Sequence, residues 1–244
     1  MSGFVDVHSH VVPSGDDGAQ SVEEGLALCR DAAARGTTVL FGTPHVWPFE
    51  PLDAVREEAV REAHAEMAPA AAELGLDLRL GWELTPAPRL LEEDLERYRL
   101  GDLPAVLMEL PFHGSLGLAE GLAEHIEGSG MKPVIAHPER AEAVLADFSA
   151  AERLRERGWL LQLNATSLLG YHGPEREAAA WRFVDERLAD LVASDGHRPA
   201  RPPFLDEVFE LARARVGEGA RPLFDGRAVL ELAGPDRLDF AQRG

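Results

Sequence analysis

Short apolar, β-branched runs alternate with Ala-, Glu- and Arg-rich stretches along most of the chain. Runs of this length bounded by turn residues read as buried strands, and apolar residues spaced three and four apart between them read as helices. The pattern predicts seven strands, at 4–7, 38–41, 77–82, 105–109, 133–136, 159–163 and 188–193. A helix opening at Ser21 has Glu24 three residues on, a capping-box spacing, and Gly36 marks its end. The segment 52–74, closed by Gly75, is strongly helical in composition. With each strand feeding a helix, and no Gly-x-Gly-x-x-Gly after the first strand, the expectation is an α/β fold. Within that class a distorted (βα)7 TIM-like barrel is favoured over a dinucleotide-binding sheet. No linker, charge block or repeat divides the chain, so a single domain over 1–244 is expected.

Composition narrows the class of partner. The 24 basic and 43 acidic residues leave a net charge of −19, which repels nucleic-acid backbones and anionic lipids. No apolar run approaches the roughly 18 residues of a membrane-spanning helix, and residues 1–10 lack a basic region followed by an apolar stretch. Cys29 is the only cysteine, which fits a reducing, cytoplasmic setting.

Barrel chemistry sits where strands end, because the loops there converge on one face. His8 and His10 close the first predicted strand and Asp16-Asp17 follow; His45 follows the second, Glu83 the third, Glu109 the fourth, His137 the fifth, and Asp195 with His197 the last. Two residues apart on a strand point to one face about 6.7 Å apart, so His8-x-His10 and Asp195-x-His197 can each converge on an ion. Five of the nine histidines fall in this pattern, which random scatter would seldom produce. His64 and His125 sit in helical stretches and are expected to face solvent; His113 and His172 lie in loops that could flank a site, with an ordinary loop role expected for both. Imidazole and carboxylate donors without thiolate suit Mn²⁺, Fe or Zn²⁺, and so many donors imply two or three ions. Closely spaced ions can polarise a phosphoryl oxygen and lower the pKa of a water.

These motifs resemble the PHP (polymerase and histidinol phosphatase) superfamily, and within it the bacterial manganese-dependent protein-tyrosine phosphatases of capsule and exopolysaccharide operons. The residues that carry the likeness are Asp6-Val7-His8-Ser9-His10, Asp16-Asp17-Gly18, Thr43-Pro44-His45, Gly81-Trp82-Glu83, Glu109-Leu110-Pro111-Phe112, Ala136-His137-Pro138-Glu139-Arg140 and Ala193-Ser194-Asp195-Gly196-His197. The resemblance implies the PHP form of the barrel and three divalent ions, Mn²⁺ first. His8, His10, Glu83 and Asp195 would form one ligand group; Glu83, Glu109 and His137 a second; Asp17, His45 and His197 a third. It also implies that Arg140 and Arg201 hold the substrate phosphate, with Arg198 a competing donor at the second position. Val46 stands where the family often has a second histidine.

On that reading a metal-activated hydroxide attacks the phosphorus of a phosphotyrosyl protein, such as a bacterial tyrosine kinase, with no covalent enzyme intermediate. Trp47-Pro48-Phe49 and Phe112 could line a groove for the tyrosyl ring. Two alternatives are a small-molecule phosphatase, acting on histidinol phosphate for instance, and a non-catalytic metal-bound docking module. Cys29 and Arg35 formally satisfy the Cys-x5-Arg spacing of thiol-dependent phosphatases. That chemistry needs a loop of phosphate-facing amides, whereas this stretch is Ala-rich and reads as mid-helix.

Overall fold

The apolar runs form the strands, and every pairing between them is parallel. The computed structural model describes residues 3–234. Strands β1 (Phe4–Ser9), β2 (Thr37–Gly42) and β4 (Asp77–Leu80) make one sheet in the order β1-β2-β4. Strands β3 (His45–Val46), β5 (Glu83–Leu84), β6 (Ala105–Glu109), β7 (Lys132–Ala136), β8 (Leu160–Asn164) and β9 (Leu191–Ala193) make a second, in sequence order. β3 continues the run of β2, and β5 that of β4, each after a two-residue break. The strand expected at 77–82 is therefore interrupted: Gly81 donates its amide to Gly42 across the break, and a side chain there would collide with Leu100. The last expected strand is shorter than 188–193, because the amides of Leu188 and Ala189 turn back to the Phe183 carbonyl at the preceding helix end.

At the far edge, Ser9 bridges Gly196, His10 donates its amide to Gly196 at 2.6 Å, and Asp195 donates to His8 at 2.9 Å. These bonds bring the ends of β1 and β9 together. The architecture is thus an α/β fold of parallel sheets. The expected domain 1–244 overruns this description, since 1–2 and 235–244 lie outside the described residues.

Both sheet faces are covered, as parallel sheets require. One face packs Leu40, Val106, Ile135, Leu161 and Val192 against helical residues such as Leu28, Met67, Leu122 and Phe183. The other gathers Val5, Val7, Val39, Phe41, Leu107, Val134 and Leu191 into a separate inner cluster. The helix Val22–Ala34 starts as expected, with the Ser21 hydroxyl accepting the Glu24 amide at 3.2 Å. The Glu24 carboxylate, however, takes the Gln20 amide at 3.0 Å. Gly36, at φ +92°, ends that helix in the left-handed region that glycine adopts without strain. Among the described residues no helix is long and apolar enough to cross a membrane.

Candidate metal centre

A bulge begins the site. Between Asp6 and Ser9, β1 runs three residues while β2 runs only two, from Leu40 to Gly42. The extra residue shifts the side-chain alternation, so that His8 and His10 join Val5 and Val7 on the inner face. His45 and Glu83 are register partners in β3 and β5, which sets an imidazole beside a carboxylate. His137 and Asp195 follow β7 and β9 with φ of 35° and 51°. Left-handed backbone at a non-glycine residue is strained by roughly 1–3 kcal/mol and persists only where its surroundings hold it. The Asp16-Asp17-Gly18 turn folds onto His10. A side chain at Gly18 would lie 2.3 Å from the His10 carbonyl, so glycine permits the approach.

The donors form three groups whose ligand atoms lie within 4.8 Å of one another: His10, Asp17, His45 and His197; His8, Glu83 and His137; and His8, His10 and Asp195. Hydrogen-bond logic shows what these groups want. The Gln162 amide donates to the Leu163 carbonyl, so its oxygen, 2.9 Å from His8 Nδ1, must accept from that ring. Asp16 Oδ2 likewise accepts from His10 Nδ1 at 3.2 Å. Each ring then offers the lone pair of Nε2, and these two nitrogens face each other at 3.2 Å. Glu83 Oε2 lies 3.2 Å from the first, 3.3 Å from the second and 2.9 Å from His45 Nδ1, yet accepts no hydrogen bond. Asp195 Oδ1 lies 3.5 Å from both Nε2 atoms. Buried acceptors aimed at one another repel unless positive charge lies between them, so the donor set fits divalent cations.

Electrostatics report the same demand. Burial opposes charge on His10, but Asp16, Asp195 and Glu83 outweigh it and hold its pKa well above the ordinary imidazole value. Burial would raise Glu83 and Asp195, yet the neighbouring histidines keep both carboxyls well below the usual range. Glu109 differs. Burial and the Glu83 charge push it up to about 7, and its oxygen takes the Thr85 hydroxyl. Its carboxylate stands outside the three groups.

Arg140 Nη1 lies 3.2 Å from Asp195 Oδ2, and its guanidinium sits over the Phe112 ring at 4.7 Å. Arg201 Nη2 reaches Asp195 Oδ1 at 3.3 Å and lies 2.6 Å from His197 Nε2. Arg198 instead pairs with Glu24 at 3.1 Å. On the outer side, the rings of His45, Trp47 and Phe49 stack in succession at 4.7 and 5.2 Å, and Phe49 is 79% exposed.

The remaining histidines depart from expectation in part. His64 and His125 are half-buried, their Nε2 atoms 3.0 and 3.2 Å from the carbonyls of Leu78 and Glu93, so neither simply faces solvent. His113 is exposed beside Glu142. Cys29 is buried in mid-helix, and burial pushes its thiol up to about 12, which removes it as a nucleophile. Asp16, named with Asp17 from the sequence, backs His10, while two other partners of the donors carry no sequence signature: Gln162, and Asn164, whose amide donates to Asp195 Oδ2 at 2.6 Å. The sixth predicted strand, 159–163, has no ligand type at its end, but the observed β8, one residue longer there, supplies Gln162 and Asn164. The guanidinium of Arg56 donates to the carbonyls of Ser14, His45 and Glu50 and ties two loops together.

The family described as capsular polysaccharide synthesis, CpsB/CapC, matches residues 4–224. The chain belongs to the CpsB/CapC family. A similar protein is the tyrosine-protein phosphatase YwqE of Bacillus subtilis (strain 168), 32% identical over 204 residues, covering 80% of this chain and 77% of that one. The tyrosine-protein phosphatase CpsB of Streptococcus pneumoniae is 29% identical over 234 residues, covering 91% and 95%. Crystal structures of YwqE and CpsB, described as metal-dependent tyrosine phosphatases, include a chain 28% identical to this CpsB/CapC chain. It superposes with a TM-score of 0.81 over 90% of this chain and 91% of that one. An amidohydrolase from Mycoplasma synoviae, 13% identical over 94% of this chain and 87% of that one with a TM-score of 0.57, shares the fold.

Proposed function

We propose that this chain is a metal-dependent protein-tyrosine phosphatase, a single 1–244 domain acting in the cytoplasm on phosphotyrosyl proteins, a bacterial tyrosine kinase among them. The seven strand runs would close as a distorted barrel around three divalent ions, Mn²⁺ first. His8, His10, Asp17, His45, Glu83, Glu109, His137, Asp195 and His197 would hold them. The observation that carries the reading is the convergence of buried lone pairs on Glu83 Oε2, with two guanidinium groups on the adjoining Asp195.

When bound, the ions polarise the phosphoryl group and lower the pKa of a water toward neutrality. The chain's own residues do the rest. Arg140 and Arg201 present planar forks of donors to the phosphate oxygens, which fixes the phosphorus relative to the ions. Asp195 holds both guanidiniums in place before substrate arrives. The Trp47 and Phe49 rings on one side, and Phe112 on the other, offer faces for an aryl group leaving as phenolate. A phenolate leaving group needs little help from a proton donor, and none is assigned.

The test is turnover of a phosphotyrosyl peptide, histidinol phosphate and a generic aryl phosphate, with added Mn²⁺ or with a chelator. The peptide is expected to be hydrolysed fastest, with full loss under chelation. Preference for histidinol phosphate would move the reading to a small-molecule phosphatase. Flat turnover on all three would leave only a metal-bound docking module.

A further inference from the structure

His172, like His113, is a loop histidine without a place in the donor groups, yet it is wired to one of them. It sits in the tight loop between Gly170 and Gly173, whose φ values are 79° and 89°. Its Nε2 lies 2.9 Å from Thr166 Oγ1; Thr166 Oγ1 is 3.0 Å from Asn164 Oδ1; and Asn164 Nδ2 is 2.6 Å from Asp195 Oδ2. The proton order along this chain is fixed by elimination. The Asp195 carboxylate can only accept, so the Asn164 amide donates to it and turns its oxygen toward Thr166. That oxygen can only accept, so it takes the single hydroxyl proton of Thr166. The hydroxyl must therefore accept from His172, and the ring carries its proton on Nε2. Burial, with Arg140 and Arg201 nearby, holds the His172 pKa down to about 4, consistent with a neutral ring of one tautomer. The backbone of Asn164 is held as well, its amide donating to Glu139 Oε1 at 3.1 Å.

We propose that His172 and Thr166 are positioning residues that act through Asn164 to aim the Asp195 carboxylate. The chain engages Oδ2 beside Arg140, while Oδ1, which Arg201 reaches at 3.3 Å, lies 3.5 Å from the Nε2 atoms of His8 and His10. Asp195 needs such support because its backbone is in the left-handed region and its side chain is buried. Outer partners of this kind typically change metal affinity or activity by about 10–100-fold. The inference rests on the reading of Asp195 as a metal ligand.

The experiment measures Mn²⁺ affinity by calorimetric titration, alongside turnover, in the full chain. Thr166→Val and His172→Phe are each expected to weaken Mn²⁺ binding by about 10-fold. Because one chain carries both effects, the double variant should be no weaker than the worse single one. Thr166→Ser and His172→Gln, which keep the hydroxyl and an N–H donor, should stay near the unsubstituted protein. Independently of any variant, ¹⁵N imidazole shifts of the Zn²⁺-loaded chain should show His172 protonated on Nε2 and bare on Nδ1. The opposite tautomer, additive losses in the double variant, or no rescue by serine would each overturn the proposal. Loss of Mn²⁺ binding in Asp195→Ala but not in Thr166→Val overturns the inference alone. Unchanged binding in Asp195→Ala overturns the ligand reading and the inference with it.

Discussion

His8, His10, Glu83, His137 and Asp195 lie almost wholly out of solvent, whereas the Asp17 side chain is 60% exposed and His45 stands half-buried between them. The two halves of the donor set are held by different means. In the buried half three of the five donors have a partner on the far side, Gln162 behind His8, Asp16 behind His10, and Asn164 with Arg140 behind Asp195, whereas His137 Nδ1 has none. A buried polar atom without a partner is expensive, so these supporting residues are as constrained as the ligands. In the open half water can satisfy Asp17, whereas His197 is buried with its Nδ1 2.8 Å from the Asp195 carbonyl. Backbone clamping takes over there, with Arg56 tying the Ser14 carbonyl, in the loop that carries Asp17, to the His45 carbonyl at the start of β3. On the proposed reading, the difference predicts two classes of ion affinity, tight within and weak at the mouth.

Four predictions probe that division. Removing an inner ligand is expected to be the most damaging: Asp195→Ala or His137→Ala should reduce phosphotyrosyl hydrolysis to background and lower bound metal, read by elemental analysis. Arg140→Ala should lower kcat/KM by roughly 10–100-fold, the worth of a charge-assisted hydrogen bond, mainly through KM and with metal content unchanged at saturating Mn²⁺. Asp17→Asn should release about one equivalent of metal under dilution while the inner ions stay. Equal release from both halves would erase the distinction drawn above.

The smallest effect concerns the metal-free chain above about pH 7. His8 and His10 have raised pKa values, because their carboxylate neighbours outweigh burial, and Glu109 and Glu139 are pushed up by burial to about 7. Groups raised on folding stabilise the protonated fold, and that contribution is lost as pH climbs through their folded values. The histidines lowered on folding, such as His137 and His197, have finished titrating below the ordinary unfolded value of about 6.5 and add no opposing slope there. The metal-free Tm should therefore fall by roughly a few degrees between about pH 7 and 9. Saturating Mn²⁺ should flatten or reverse the slope, since metal binding favours deprotonated ligands.

Much of this was legible in the chain. The run 105–109 became β6 without change, because continuous apolar residues bounded by turns leave a parallel strand little choice. Donors at strand ends were visible because ligand chemistry demands particular residue types. What escaped was of two kinds. The breaks at Thr43-Pro44 and Gly81-Trp82, and the β1 bulge, depend on cross-strand register, which no local pattern encodes. Gln162, Asn164 and Thr166 escaped because neutral amides and hydroxyls look alike in a core or beside a metal. His172 escaped because its partner chain is assembled only when the loop after β8 folds back toward β9.

The most direct test is anomalous scattering from crystals of the full chain equilibrated with Mn²⁺. The account predicts strong peaks among His8 Nε2, His10 Nε2, Glu83 and Asp195 and beside His137, with a weaker peak framed by Asp17, His45 and His197. Crystals that stay without peaks there at saturating Mn²⁺, with those imidazoles turned away from one another, would contradict it.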